Sequence, residues 1–370
     1  MQEILTGIIT ATLFLILTGL ILSILLILAE KKILNYGICQ ITINNGNKEF
    51  EIEGGSSLLS ALSENIIYIP SACGGRGTCA YCKVIVNEGG GSITPVEEPY
   101  LSTEERKSGV RLSCQVKVRT DISIEIPEAL FKIKKYNTKL LYKKPLTYDI
   151  LELRFKLPEN EEIEFKPGQY IQITSEEYKG RESVMRAYSV ASSPLKKDEI
   201  DLDIRLVPDG ICTTWIFDYL KEGDNVIITG PYGEFFLTEN DTPIICIAGG
   251  SGMAPIYSIL NYMVENKIQR KTTYYFGARS QRDLFYFDEL KKMNKENEWF
   301  TFVPVLSGEP EGSQWDGKRG LITQPLLDSQ INCTGYEAYL CGSPGMINAC
   351  IKTLISVGLK EDKIFYDKFV

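Results

Sequence analysis

At 370 residues, the chain is too long for one ordinary domain; about 150 residues per domain gives two or three, and three soluble domains are expected here. Hydrophobic residues at 44% and charged residues at 24% match a globular chain, which excludes a disordered or polytopic membrane protein, while the net charge of -8 excludes nucleic acid as an expected partner. The absence of histidine excludes a Rieske centre, a histidine-ligated haem, the usual zinc hydrolase site and a Ser-His-Asp arrangement.

From Ile4 to Ala29 no side chain is charged, a run long enough for a helix to span the roughly 30 Å hydrocarbon core. A cleaved signal peptide is the competing reading, but it needs a basic start and a shorter run, and Glu3 is the only charge before this one. Lys31 and Lys32 follow at once, so the positive-inside rule places the remaining chain in the cytoplasm, giving a transmembrane anchor over residues 1–32.

Gly37 to Phe50 reads as two strands around Asn44-Asn45-Gly46-Asn47 and opens a small β-rich domain over residues 37–131. Within it, Cys73, Cys79 and Cys82 stand as C-x5-C-x2-C, and Cys114 follows in Leu112-Ser113-Cys114-Gln115. Four thiolates are what a [2Fe-2S] cluster needs, and glycines let a loop wrap an anionic cluster and aim N–H groups at its sulfurs. Zinc also takes four cysteines, usually as two close pairs rather than three together and one distant. The remaining cysteines, Cys39 and Cys212 among them, are scattered, which points to a reducing compartment, and Cys246, Cys333 and Cys350 read as small buried hydrophobes.

After a charge-rich linker at Lys132–Lys135, alternating segments such as Ile150–Phe155 and Tyr170–Ile173 predict an antiparallel barrel over residues 134–237. In Arg186-Ala187-Tyr188-Ser189, alternation puts Arg186 and Tyr188 on one face, a cation for a pyrophosphate beside a ring for a flavin. Ser189 then stands where it can hydrogen-bond the flavin's reactive edge. Taken alone, the motif equally fits plain strand surface. Gly210-Ile211-Cys212-Thr213-Thr214 precedes a helix expected through Leu220, whose first N–H groups and threonine hydroxyls suit a phosphate; an ordinary N-cap accounts for it equally.

Ile244–Ala248 is a continuous apolar run, as expected of a parallel strand buried on both faces, and Gly249-Gly250-Ser251-Gly252-Met253-Ala254-Pro255 follows directly. Strand, glycine turn and helix form a dinucleotide arrangement, although not the G-x-G-x-x-G fingerprint. Alternation through Thr273–Phe276, Asp288–Lys295 and Ala338–Cys341 predicts a doubly wound α/β domain over residues 238–370. Cys341 and Gly342 end one such strand and mark a candidate nicotinamide pocket, although a buried packing cysteine reads the same way. Arg279 and Arg282 are candidates for the adenosine half or for plain solvation.

Together these motifs resemble the ferredoxin-NADP reductase superfamily fused to a ferredoxin, in the order found among the F subunits of sodium-translocating NADH:quinone reductases. The resemblance implies a β-grasp ferredoxin domain, an FAD barrel and an NADH domain. It also implies metal ligands Cys73, Cys79, Cys82 and Cys114. The cofactor-binding positions implied are Arg186 to Ser189, Gly210, Thr213, Thr214, Gly249 to Pro255, Cys341 and Gly342. Gly230-Pro231-Tyr232-Gly233-Glu234-Phe235-Phe236 and Gly277-Ala278-Arg279-Ser280 resemble family segments too, and Phe369 takes the place of a terminal ring covering the flavin. The catalytic set so implied is Ser189, Cys341 and Phe369. Two departures stand out: the stretch between Tyr170 and Arg186 is short for this family, and Ser343 replaces a second proline.

The implied activity is hydride transfer from NADH to FAD, then single-electron transfer through [2Fe-2S] to other membrane subunits, with quinone reached only through those partners. The implied location is the inner (cytoplasmic) membrane, single-pass, with the soluble domains facing the cytoplasm. A reductase component of a multicomponent oxygenase shares all three cofactor modules but is usually soluble. A non-enzymatic electron-transfer docking protein would have lost flavin ligands, whereas Arg186, Tyr188 and Ser189 are intact.

Overall fold

The structure is a computed structural model that describes residues 2–33, 36–71, 73–329 and 332–369. It divides into two compact units, Met1–Lys132 and Ile133–Val370.

In the first unit, α1 (Gln2–Ile33) is one continuous helix of 32 residues. Among the described residues no helix is long and apolar enough to cross a membrane. The expected span from Ile4 to Ala29 includes positions 4, 5, 8 and 26–29, whose side chains lie outside the described residues.

The strands β1 (Ile38–Ile43), β2 (Lys48–Glu53), β3 (Lys83–Glu88), β4 (Val110–Leu112) and β5 (Ile122–Glu125) form a mixed sheet in the order β2-β1-β5-β3-β4. The parallel β1–β5 pair at its centre and α2 (Leu58–Glu64) with its apolar residues buried give the β-grasp arrangement. Alternation in β1 sends Cys39, Ile41 and Ile43 inward onto Leu58 and Leu62 of α2. The short α3 (Thr103–Lys107) starts with a capping box between Ser102 and Glu105.

The second unit opens on a barrel of β6 (Lys134–Pro145), β7 (Ile150–Lys156), β8 (Tyr170–Thr174), β9 (Met185–Ser189), β10 (Glu199–Arg205) and β11 (Asn225–Tyr232). Their order is β10-β7-β6-β11-β8-β9, and the Val190–Leu202 bridge joins the two ends into a closed barrel. Lys134 and Lys135, expected in a linker, already belong to β6. The helix expected from Cys212 through Leu220 is instead α4 (Ile211–Thr214) running into a wider π-type turn at Trp215–Tyr219. The widening is tolerated because Lys143 Nζ donates to the carbonyls of Ile216, Phe217 and Leu220 at 2.7, 2.7 and 3.2 Å.

The remainder is a parallel sheet of β12 (Ile244–Gly249), β13 (Thr272–Ala278), β14 (Phe300–Leu306), β15 (Lys318–Arg319), β16 (Glu337–Gly342) and β17 (Ile364–Lys368), ordered β15-β14-β13-β12-β16-β17. It is accompanied by α5 (Met253–Glu265), α6 (Phe287–Glu296), α7 (Thr323–Asp328) and α8 (Pro344–Ser356). Two apolar cores hold it, one through Ile244, Cys246 and Ile259, the other through Ile245, Ile247 and Leu354. The consecutive residues of β12 thus feed opposite faces, which is why that strand is apolar throughout. The chain runs outward from β12 to β13–β15, then returns to β16 on the other side of β12, so the topological switch point lies between β12 and β16.

Candidate functional site

In the first unit the loop between α2 and β3 gathers the thiols. Cys73 and Cys79 bring their Sγ atoms to 3.4 Å, and Cys82 and Cys114 theirs to 3.3 Å. Gly74, Gly75 and Gly77 take positive φ, allowing the tight turn, and Ala72 lies outside the described residues. Among the described residues no group of three or more metal-type side chains is gathered to hold one ion. Two close thiol pairs are what two irons, each taking two thiolates, require; a mononuclear zinc site would draw all four together. Within each pair one thiol donates to the other, which lowers the pKa of Cys73 to about 3 and of Cys114 to about 7. Gln115 Nε2 also donates to Cys114 Sγ at 3.4 Å.

Behind Cys114 lies a buried ion pair. Arg111 donates from Nε and Nη2 to the two Glu97 oxygens at 2.9 and 2.8 Å and from Nη1 to the carbonyls of Gly90 and Gly91. Glu97 is fully buried and also accepts the Leu112 N–H at 3.0 Å, fixing the strand that delivers Cys114. Although burial alone would raise its pKa, the hydrogen bonds from Arg111, Thr94 and Leu112 hold Glu97 below the ordinary value.

In the second unit, β9 pairs with β8 so that Tyr188 stands opposite Ile171 and Ala187 opposite Gln172. Arg186 donates to the neighbouring Met185 carbonyl at 2.7 Å and takes part in no ion pair among the described residues, leaving its charge available. Tyr188 Oη is buried without a hydrogen-bond partner in good geometry, and burial raises its pKa well above the ordinary value. Gln172 Nε2 is orphaned in the same way. The orphaned Tyr188 hydroxyl and the unpaired Arg186 guanidinium share one face of β9 and fit a ligand carrying polar ring edges and a pyrophosphate, as FAD does, while Gln172, opposite Ala187, lies on the other face. Gln172 is not legible in the sequence, where it is merely one position of a strand. Ser189 is buried opposite Tyr170, whose ring stacks on Tyr232 at 5.6 Å.

Gly210 caps α4, and a Cβ there would stand 2.6 Å from Thr213 Oγ1. That hydroxyl is committed to the turn: it accepts the Val207 N–H at 3.2 Å and donates toward the Val207 carbonyl. The Thr213 hydroxyl, expected at a phosphate, thus also closes the turn, and Thr214 lies half-buried beside it.

At the switch point the structure joins two segments far apart in sequence. A Cβ on Gly252 would lie 2.4 Å from the Cys341 carbonyl oxygen, so only glycine lets the Gly249–Pro255 loop pack on the end of β16. Gly342 accepts the Phe369 N–H at 3.0 Å, which puts the terminal ring, half-buried, at the same sheet edge. Cys341 itself is fully buried against Cys246 and Met253, and burial raises its pKa well above the ordinary thiol range. That burial favours the packing reading of the thiol over a reactive one. A Cβ on Gly250 would come within 3.4 Å of Arg205 Nη1 on β10, so a barrel cation also faces the loop, although its Nε is already paired to Asp149 at 2.7 Å. Arg205 carries no signal in the sequence because only the fold brings β10 to this loop. Arg282 lies over the Tyr148 ring at 4.6 Å and is mostly exposed, as expected of a solvated cation.

Three domain families match the chain: a 2Fe-2S iron-sulfur cluster binding domain over residues 41–119, an oxidoreductase FAD-binding domain over 137–237 and an oxidoreductase NAD-binding domain over 246–352. Relatives named as the F subunit of Na(+)-translocating NADH-quinone reductase align along the entire length. One from Neisseria meningitidis is 36% identical over 100% of both chains, and one from Histophilus somni is 37% identical over 95% of this chain and 96% of its own. The chain belongs to the family of these F subunits. Its cofactors are accordingly FAD, NAD and a 2Fe-2S cluster.

Among solved structures, the Amycolatopsis cytochrome P450 reductase GcoB matches with a TM-score of 0.73 at 28% identity, over 90% of this chain and 98% of that one. The ferredoxin reductase of carbazole 1,9a-dioxygenase matches with a TM-score of 0.69 at 27% identity, over 90% and 99%. The 411 positions aligned with the Neisseria relative exceed the 370 residues here, so the family carries residues that this chain lacks, in keeping with the short stretch before Arg186.

Proposed function

We propose that this chain is the electron-input subunit of a Na(+)-translocating NADH-quinone reductase. In this reading FAD takes a hydride from NADH and the 2Fe-2S cluster forwards electrons one at a time to membrane partners, with quinone reached only through them. The observation that carries the proposal is the alignment of these F-subunit relatives over all of this chain, residues of α1 included. Support from the fold is the pairing of one-electron and two-electron sites in one polypeptide.

Each residue then has a task. Cys73 with Cys79, and Cys82 with Cys114, ligate the two irons. Arg186 and the first N–H groups of α4 neutralise the FAD pyrophosphate, while Tyr188 meets polar atoms of the flavin and its chain. Ser189 orients the reactive edge of the ring. The loop from Gly249 to Pro255 holds the NADH pyrophosphate, with Arg205 and Thr214 adding donors at the rim. Gly342 and the Cys341 backbone shape the nicotinamide pocket, and Phe369 covers the ring site. The proposed divisions are the anchor 1–32, the ferredoxin domain 37–131, the FAD barrel 134–237 and the NADH domain 238–370.

The anchor is part of this proposal. At about 1.5 Å per residue α1 is about 48 Å long, more than the roughly 30 Å of hydrocarbon. It exposes large apolar side chains between Ile9 and Leu25, while Thr10 and Thr18 turn their hydroxyls back onto the carbonyls of Thr6 and Phe14 at 3.0 and 2.9 Å. Hydroxyls satisfied within the helix do not oppose entry into lipid. Lys31 and Lys32 then keep the cofactor domains cytoplasmic, with a single pass through the inner membrane.

The oxygenase-reductase alternative draws support from the two solved relatives, yet these cover only 90% of the chain. Affinity purification of the tagged full-length chain from detergent-solubilised native membranes separates the readings. The expected result is co-purification with membrane subunits and NADH:quinone activity stimulated by sodium. Recovery from the soluble fraction with an oxygenase would contradict it.

A further inference from the structure

Ser113 precedes Cys114 and closes the end of β4 against β3, donating its N–H to the Cys82 carbonyl at 2.9 Å and accepting the Leu59 N–H at 3.0 Å. Both backbone groups are thus satisfied, and the residue has no exposed surface. Its hydroxyl is not well satisfied: Ser113 Oγ is buried with no hydrogen-bond partner in good geometry. A buried hydroxyl is retained at a cost unless an acceptor exists in the working state. The group beside it is the Cys82 thiol. As a neutral thiol sharing a proton with Cys114 at 3.3 Å, Cys82 is a poor acceptor; as an iron-bound thiolate it is a strong one.

We infer that Ser113 is a tuning residue for the iron-sulfur cluster, its Oγ–H donating to the Cys82 thiolate and raising the reduction potential. The inference rests on the cluster reading of the four thiols. A donor aimed at a cluster sulfur favours the reduced form, which carries one more negative charge, and hydrogen bonds to the sulfurs are among the factors that set such potentials. Gln115 Nε2 already serves Cys114 in this way, so both thiolates on the same iron then receive a side-chain donor.

The test is an EPR-monitored redox titration of the full-length chain in detergent, with iron and acid-labile sulfide assayed first. Ser113→Ala is expected to keep its iron and to lower the midpoint by about 59 mV, a tenfold loss of reduced cluster at fixed potential. Ser113→Thr and Ser113→Val have nearly equal volume and differ in the hydroxyl, so Thr is expected to stay near the wild-type potential and Val to fall with Ala. This pair decides the matter should Ser113→Ala fail to assemble. Full iron with an unchanged potential in Ala, or equal potentials for Thr and Val, would overturn the inference while leaving the ligation intact. A wild-type chain without iron would instead overturn the cluster reading beneath it.

Discussion

Tyr286 Oη donates a 2.9 Å hydrogen bond to Asp203 Oδ1, tying the entry of α6 to barrel strand β10 and so the nucleotide domain to the flavin barrel. Tyr286 takes positive φ at the head of α6 and stacks on Tyr257 of α5 at 4.2 Å with nearly parallel rings. Asp203 is deeply buried and its Oδ2 has no partner. Burial, reinforced by Glu152 and Asp201, raises its pKa to about 8 despite the Tyr286 hydrogen bond.

A pH dependence follows from this pair. Between about pH 4 and about pH 8 the folded chain keeps a proton that the unfolded chain has released, so the contribution of Asp203 to stability falls as pH rises through this window. Asp203→Asn removes that slope while Asn still accepts from Tyr286. Denaturant midpoints measured at about pH 6 and about pH 9 should diverge less for the variant than for the wild type. An equal difference in both would show that Asp203 is ionised throughout.

Removing Arg111 strands the Glu97 carboxylate, which is fully buried. Arg111→Ala is expected to cost about 3–5 kcal/mol of stability and to deplete iron, since Glu97 also fixes the strand carrying Cys114. Calorimetry with iron analysis checks both effects. A stable, iron-replete variant would contradict this account.

Gly252→Ala places a methyl 2.4 Å from the Cys341 carbonyl oxygen and must push the nucleotide loop off β16. The expected outcome is a tenfold or greater rise in KM for NADH, about 1.4 kcal/mol or more, with FAD content unchanged. Stopped-flow titration with NADH reads it directly, and a normal KM would place the dinucleotide elsewhere.

Ser189→Ala should retain FAD but slow flavin reduction by NADH by about tenfold, the scale of one lost hydrogen bond. Cys341→Ser, by contrast, puts a hydroxyl in an apolar site, so its main effect should be on stability rather than on the pH profile of hydride transfer. A profile that shifts with Cys341→Ser would restore a reactive role for that thiol.

The readable parts of this molecule are those governed by local rules. The uninterrupted apolar run Ile244–Ala248 announces a strand buried on both faces, and the spacing of Cys73, Cys79, Cys82 and Cys114 announces their assembly. What stays hidden depends on partners distant in sequence. Gln172 and Asp203 look like ordinary polar positions in strands until burial leaves an atom of each unpaired. The π-type turn after Thr214 is set by Lys143, over 70 residues earlier. That the Thr213 hydroxyl closes back on Val207 is likewise invisible in the sequence.

The most direct measurement is an anaerobic spectrum of the purified full-length chain during titration with NADH, with iron and flavin quantified. Two irons and one FAD per chain are expected, with flavin and iron-sulfur bands bleaching together and Cys82→Ala sparing only the flavin response. A chain holding zinc, or one whose flavin is reduced while an intact cluster stays oxidised, would contradict the proposed route of electrons.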